Sequence, residues 1–482
     1  MLNSMRPVQL FWLFTLLPAF AADPNLTGQY RAVADRLINA ALSDTEGYAK
    51  LEYLCYRIGN RLSGSEALQR AVSWSEQQMK RDGLSNVRTI PVKVPHWVRG
   101  SESARMVAPE NKALHILGIG MSVGTPAGGI TADVVAVSDF TELTQLGRER
   151  VQGKIVVYNE PFRGYGTTVI YRTSGASKAA ALGAAAVLVR SITPLAMQQP
   201  HTGTLRYDDN QPRIPAAAVS IEDAMMMARL YSEGVSVKVH LEMSAHLEPD
   251  ADSADVMGEI TGRERPEEIV VLGGHSDSWD VGQGAQDDGS GIIASLQAVA
   301  LIRKLGLQPR RTIRVVFWVN EENGGRGGQA YREWIGNSIA NHVAAIEMDG
   351  GAEAPRGFGF GPFGGGGRRG EAASPPAPSG ADLASFATLK QIANLLERVG
   401  AVEVTPGGGG SDISPITREG VPALAVRTAG LHYFDWHHTE TDTLDKVDLD
   451  DFRKNIAALA VMSYVLADMP GRISGTRESS EP

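Results

Sequence analysis

Cysteine is all but missing. Cys55, inside LEYLCYRIG, is the only one in 482 residues, so no intrachain disulfide can form and stability must come from a buried core. A basic excess is missing too. Lys and Arg number 46 against 55 Asp and Glu, a formal charge of −9, which excludes a surface built to track nucleic-acid phosphates. Past the N-terminal run Leu10–Phe20 no stretch approaches the ~20 apolar residues of a spanning helix, so no stable membrane anchor is expected. Aromatic residues make up only 6%, yet hydrophobic residues reach 43%, enough to bury the cores of two or three domains.

The first residues, MLNSMRPVQLFWLFTLLPAFAADPN, join one cation, Arg6, to that short apolar run and to small residues at Ala19 and Ala21. This is the pattern of a secretory signal over residues 1–21, removed on export, and it predicts a secreted or periplasmic protein. Helical periodicity follows from about 25 to 82, and then strands such as VRTIPVKVP and ALHILGI. Residues 124–247 have a rhythm of their own. Short strands there alternate with the Ala-rich stretch ASKAAALGAAAVLVR and with IEDAMMMARLYSEG, which predicts an inserted β-rich domain; Met225, Met226 and Met227 are expected to fill its core, and His240 is read as a structural residue on a strand.

From Val256 onward EEIVVLGG, SGIIASLQAVALIRKLG, TIRVVFWVN and VAAIEMDG alternate strand and helix. Continuous apolar strands alternating with helices predict an α/β fold, a mainly parallel mixed sheet covered by helices on both faces. Residues 22–123 and 248–470 would together form this discontinuous domain. The Gly/Pro-rich stretch 351–381 is expected to be a flexible loop, and 471–482 a disordered tail.

Ligands of open α/β sheets bind beyond the carboxyl ends of the strands, and the unusual polar residues fall there. His275 and Asp277 follow EEIVVLGG, Glu321 and Glu322 follow TIRVVFWVN, and Asp349 follows VAAIEM. Asp287 and Asp288 open the next helix, while His437 and His438 lie beyond VPALAVRT. Taken singly each is cheap: Asp-Asp-Gly-Ser makes a turn and cap, and a Glu pair is commonly a solvated helix face. Jointly they offer imidazole nitrogen and carboxylate oxygen, the donor set of hydrolytic zinc sites in which two ions can share one carboxylate. The glycines of HSDSWDVGQGAQDDGSG let the chain turn back from His275 to Asp287 without a Cβ clash.

HSD, GAQDDGSG, NEENGG, EMDGG and HHTETDT, in that order, resemble the co-catalytic zinc exopeptidases, a family that includes bacterial leucyl-type aminopeptidases and glutamate carboxypeptidases. RLSGS, PHWVRGSESA, GTPAGGITA, GKIVVYN, QQPHTG and SYVLADM extend the resemblance over nearly the whole mature chain. It implies a peptidase domain interrupted by a protease-associated domain, with two Zn2+ per chain. One ion would be held by His275, Asp287 and Asp349, the other by Asp287, Glu322 and His438, with Asp287 bridging. Asp277 resembles the carboxylate that orients the first histidine, and Glu321 the general base. The family pattern puts the last ligand at His438 in His438-Thr439-Glu440-Thr441-Asp442, with His437 as the other choice.

The resemblance thus implies a secreted exopeptidase acting on dipeptides or short peptides with a free terminus, and relatives point to a homodimer. Two other functions fit the fold: a non-catalytic receptor that has lost ligands, and a single-zinc acyl transferase of the glutaminyl cyclase kind. The complete set of ligands and the base speaks against the first, and the inserted segment and the two-ion set against the second.

Overall fold

A computed structural model describes residues 25–361 and 380–474. The expected signal segment, most of the Gly/Pro-rich stretch and the last eight residues, 475–482, lie outside the described residues. The first of two sheets runs in the spatial order Ser85–Val98, His246–Ile260, Arg311–Trp318, Arg265–His275, His342–Glu347, Ala423–Thr428, Pro355–Phe360, Glu403–Pro406. The four central strands, from Arg311–Trp318 to Ala423–Thr428, are mutually parallel, while antiparallel pairs join the flanking strands to them.

Continuous apolar strands are required here because both faces are covered. Along Arg265–His275, Val270 and Leu272 enter a large core with Leu37, Ile38, Ile292, Leu296, Phe452 and Ile456, from helices Leu26–Leu42, Ser290–Lys304 and Leu449–Asp468. The intervening Ile269 and Val271 point the other way, against Tyr331 and Ile335 of helix Arg326–Ile335 and against Ile416. Side chains alternate across a strand, so one apolar run serves two cores. Each such fully buried aliphatic side chain contributes about 1.5–3 kcal/mol.

The chain leaves this sheet at Val98 and re-enters it at His246, residues that pair across the outer antiparallel ladder. Between them it builds a second sheet, ordered Lys112–Leu114, Glu102–Ala108, Lys238–Met243, Ile130–Val137, Ile155–Tyr158, Ala186–Arg190, Ala216–Val219, Ile116–Gly118. Helix Ile170–Ala181 packs Ala176, Ala179 and Ala180 against one face, and helix Ile221–Ser232 packs Ala224 and Met227 against the other.

Three details differ from expectation. The second sheet takes in Glu102–Ala108, Lys112–Leu114 and Ile116–Gly118, ahead of the expected start at residue 124, because Glu102–Ala108 pairs with Lys238–Met243 and with Lys112–Leu114, and Ile116–Gly118 pairs with Ala216–Val219. Met227 is buried but Met225 is 50% exposed, because successive helix residues are rotated about the axis and cannot all face one core. Within the stretch expected to be a loop, Pro355–Phe360 is a strand; Gly359 lies so close to its neighbour that a Cβ would stand 2.0 Å from the Gly407 carbonyl. Glycine there serves close approach of backbones, not mobility. No helix among the described residues is long and apolar enough to cross a membrane.

Candidate metal centre

Because the four central strands run in parallel, their carboxyl ends share one edge of the sheet. His275 ends its own strand there. Beyond Trp318 the chain turns through Asn320, at φ 67, and presents Glu321 and Glu322; Asp349 follows the strand His342–Glu347, and His437 and His438 follow Ala423–Thr428. Asp287 arrives from the turn that opens helix Ser290–Lys304.

These side chains converge. His275 Nε2 lies 3.3 Å from Asp287 Oδ1 and 3.5 Å from Asp349 Oδ1. His438 Nε2 lies 3.1 Å from Asp287 Oδ2 and 2.9 Å from Glu322 Oε2. Two three-residue groups result, His275–Asp287–Asp349 and Asp287–Glu322–His438, each with ligand atoms within 4.8 Å of one another. Asp287 belongs to both and turns one oxygen to each.

The donors fit a divalent cation, and the buried atoms say so independently. His275 Nε2, Asp287 Oδ2 and Glu322 Oε1 are buried without a hydrogen-bond partner, although unsatisfied buried polar atoms are costly. Burial pushes Glu322 up to about 8 and Asp349 up to about 6, so neither carries its charge comfortably unless a cation stands beside it. Imidazole and carboxylate together suit zinc.

The surroundings set the orientation of these groups. His275 Nδ1 lies 3.0 Å from the backbone carbonyl of Asp277, which leaves the Nε2 lone pair facing the cluster. The Asp277 carboxylate itself is 3.8 Å from the ring and instead accepts the amides of Glu321 and Glu322, at 3.2 and 3.4 Å, so it positions the glutamate turn more directly than the histidine. Glu321 is partly exposed where Glu322 is buried. Asp288 accepts the amides of His275 and Gly291, each at 3.1 Å, and a Cβ on Gly274 would lie 1.9 Å from its carboxylate.

Several contributors carry no ligand pattern of their own. Arg61, fully buried, donates to the carbonyls of Ser276, Gln283 and Gly284 and so closes the loop between His275 and Asp287. Asp442 accepts the amides of Gln286 and Asp287. From the loop that joins strands Ala186–Arg190 and Ala216–Val219 of the second sheet, the Thr202 amide donates to the His438 carbonyl at 2.9 Å, and the Thr202 carbonyl lies 3.4 Å from His438 Nδ1. His201 Nε2 stands 3.0 Å from His437 Nδ1, and His201, His437 and His438 form a third group of converging donors. The motifs RLSGS, QQPHTG and HHTETDT contain Arg61, His201 with Thr202, and Asp442, yet nothing in residue type alone marks them.

Comparison with known proteins follows the same residues. Residues 255–463 match the model of Peptidase family M28. The chain is 41% identical over 443 residues to carboxypeptidase Q of Mus musculus, covering 91% of this chain and 90% of that protein. Against carboxypeptidase Q of Homo sapiens it is 40% identical over 440 residues, with 91% and 89% covered. Among solved structures, a peptidase M28 precursor from Shewanella amazonensis superposes with a TM-score of 0.85 at 31% identity, over 94% of this chain and all of that one. An aminopeptidase from an Aneurinibacillus strain shares the fold at a TM-score of 0.64 and 19% identity, over 93% of this chain and 98% of that one.

Proposed function

The chain belongs to peptidase family M28 and is a metallopeptidase, and from that premise we propose that it is an exported dizinc exopeptidase which hydrolyses dipeptides or short peptides with a free terminus. The observation that carries this reading is the shared carboxylate: Asp287 meets His275 through one oxygen and His438 through the other. His275, Asp287 and Asp349 would hold one zinc ion, and Asp287, Glu322 and His438 the second. Zinc bound there would acidify water and draw electron density from a peptide carbonyl.

The chain's own residues supply the rest. Glu321 takes the proton of the attacking water on its carboxylate and returns it to the departing amine, a double role open to it because it is the partly exposed member of the pair. Asp277 fixes both glutamates through their amides, so the base and the ligand keep their separation during proton transfer. The second sheet is taken as the protease-associated insertion, and its contacts through Thr202 and His201 make it part of the site. The N-terminal segment supports export, and a homodimer is the assembly the family suggests.

Replacing Glu321 with Gln tests the assignment. The variant should retain close to two zinc equivalents, read by elemental analysis, while dipeptide hydrolysis collapses by about 100-fold or more. Hydrolysis at the parental rate would remove Glu321 from its role, and a single zinc per chain would remove the bridged centre.

A further inference from the structure

Met121 stands on a left-handed backbone, φ 69, just after strand Ile116–Gly118 of the second sheet. The Ser122 amide donates to the Ile119 carbonyl at 3.0 Å, so Ile119–Ser122 is a tight turn with Met121 in its third position, where glycine is the residue of least strain. A Cβ is costly there, and residues held in such conformations cluster at sites where the side chain serves binding or catalysis.

Both sheets pin this turn. The Gly120 amide donates to the Gly203 carbonyl at 2.9 Å, and a Cβ on Gly120 would stand 2.0 Å from the Trp279 ring. From strand Ser85–Val98 of the first sheet, Trp97 Nε1 donates to the Ser122 carbonyl at 2.9 Å. The point at which the Met121 side chain leaves the backbone is therefore fixed.

That point is beside the centre. Asn323, next in sequence to Glu322, accepts from Asn320 through Oδ1 and turns its Nδ2 to the Met121 sulfur at 3.8 Å. Met121 also packs on a buried cluster of Leu62, Trp97, Ala245 and Trp279, and the Trp279 ring meets His438 edge to face, centroids 5.7 Å apart. It thus touches the turn that carries Glu321 and Glu322 and, through Trp279, adjoins His438. Its neighbours in the cluster are buried, whereas Met121 is half-buried and keeps apolar surface free.

A general acid must come within hydrogen-bond reach of the leaving nitrogen, and the side chain of the leaving residue branches from the carbon next to that nitrogen. With Glu321 as the acid, that side chain lies close to the Glu321–Asn323 turn, where Met121 offers apolar surface. We propose that Met121 is a specificity-determining residue: its thioether, carried in by the second sheet, packs against the side chain of the residue released with the new amine and selects apolar side chains there. A thioether on an unbranched stem adapts to aliphatic and aromatic shapes alike. No bond to Met121 forms or breaks. This rests on the peptidase reading above and adds to it the class of residue accepted on the leaving side.

The test measures kcat/KM for two dipeptide series, Ala-X and X-Ala with X as Leu, Lys or Gly, together with inhibition constants of the phosphinate analogues of Ala-Leu and Ala-Gly, for the parent, Met121→Gly and Met121→Glu. The parent should prefer Ala-Leu to Ala-Gly by about 10-fold or more, in turnover and in analogue affinity. Glycine suits the backbone at this position, so Met121→Gly should fold, and its preference should shrink to about threefold or less. Met121→Glu should raise the ratio of Ala-Lys to Ala-Leu by about 10-fold or more. These ratios cancel any general loss from a disturbed turn, which is all that a purely structural role would produce. Parental ratios in both variants would overturn the proposal, as would a change confined to the X-Ala series or a parent that does not distinguish Ala-Leu from Ala-Gly. A parent that cleaves neither series removes the peptidase reading and this proposal with it; a parent that cleaves both, beside variants of parental selectivity, removes only the role of Met121.

Discussion

Asp442 Oδ2 accepts the backbone amide of Asp287 at 3.1 Å, while its other oxygen takes the neighbouring amide of Gln286 at 2.7 Å. The loop that carries His438 thus fastens the loop that carries the shared carboxylate, across 155 residues of sequence. Replacing Asp442 with Asn would turn an NH2 group toward one of those amides, donor against donor. Metal affinity should fall by about 10–100-fold in chelator competition, with the melting profile of the zinc-loaded protein little altered. An unchanged affinity would show that the turn holds itself.

Arg61 makes a similar argument in the opposite charge. Its guanidinium meets four carbonyls, those of Gly59, Ser276, Gln283 and Gly284, between 2.8 and 3.0 Å, a fan of acceptors that a lysine ammonium cannot reach with three donors on one atom. Arg61→Lys should cost on the order of 3 kcal/mol in urea unfolding of the metal-free protein, since at least one buried carbonyl is orphaned and the charge is less well bound. A loss under about 0.5 kcal/mol would mean that the loop is held by other contacts.

How much of this was legible beforehand follows from the physics of each residue. The parallel sheet could be read because strands buried on both faces must be apolar throughout, and the polar residues at their ends stood out for the same reason. His275, Asp287, Glu322, Asp349 and His438, placed by resemblance at those ends, are brought together by the structure. Thr202 was not legible, since it acts through its backbone, which every residue possesses. Arg61 binds carbonyls more than 200 residues away, and no local spacing records that. The strand Pro355–Phe360 was hidden by its glycines, which here permit close packing but in composition look like a linker.

His342 gives a stability that depends on acid. It is buried; its Nε2 lies 2.8 Å from the Tyr331 hydroxyl and its Nδ1 3.2 Å from the Ser338 carbonyl, the pattern of a neutral ring. Burial, and next the charge of Arg314, push it down to about 4. Between about pH 6.5 and 4 the unfolded chain binds a proton that the native state refuses, so this group favours folding above that window and its contribution is lost as pH falls through it, by up to about 3 kcal/mol. His342→Gln should flatten the difference in urea midpoint between about pH 7 and pH 5 relative to the parent. Equal slopes would show that other groups govern the acid limb.

Cys55 is expected to be inert. Burial raises its thiol up to about 12, so the thiolate that reacts with alkylating reagents is scarce at neutral pH, and the side chain is shielded as well. Native protein at about pH 8 should take up no iodoacetamide within hours, and one equivalent once unfolded in urea, by mass spectrometry. Fast labelling of the native chain would place Cys55 in a region that opens.

The second sheet should be coupled to catalysis through Gly203. Its φ is +132, a conformation side chains rarely adopt, and a Cβ there would stand 2.1 Å from Nη1 of Arg172. That same nitrogen donates to the Thr202 carbonyl at 2.9 Å, and the Thr202 amide donates to the His438 carbonyl at 2.9 Å. Alanine at 203 therefore cannot be absorbed locally: either Arg172 gives up its bond to Thr202, or the turn moves and His438 moves with it. Gly203→Ala should lower kcat for a dipeptide by about 10-fold or more and weaken zinc binding, because a displacement of His438 by a fraction of an ångström breaks up the group it forms with Asp287 and Glu322. Because neither affected bond is a rung of either ladder, the far-ultraviolet circular dichroism should stay that of the parent. If activity and zinc affinity also stay parental, the insertion is a neighbour of the centre and not a member of it.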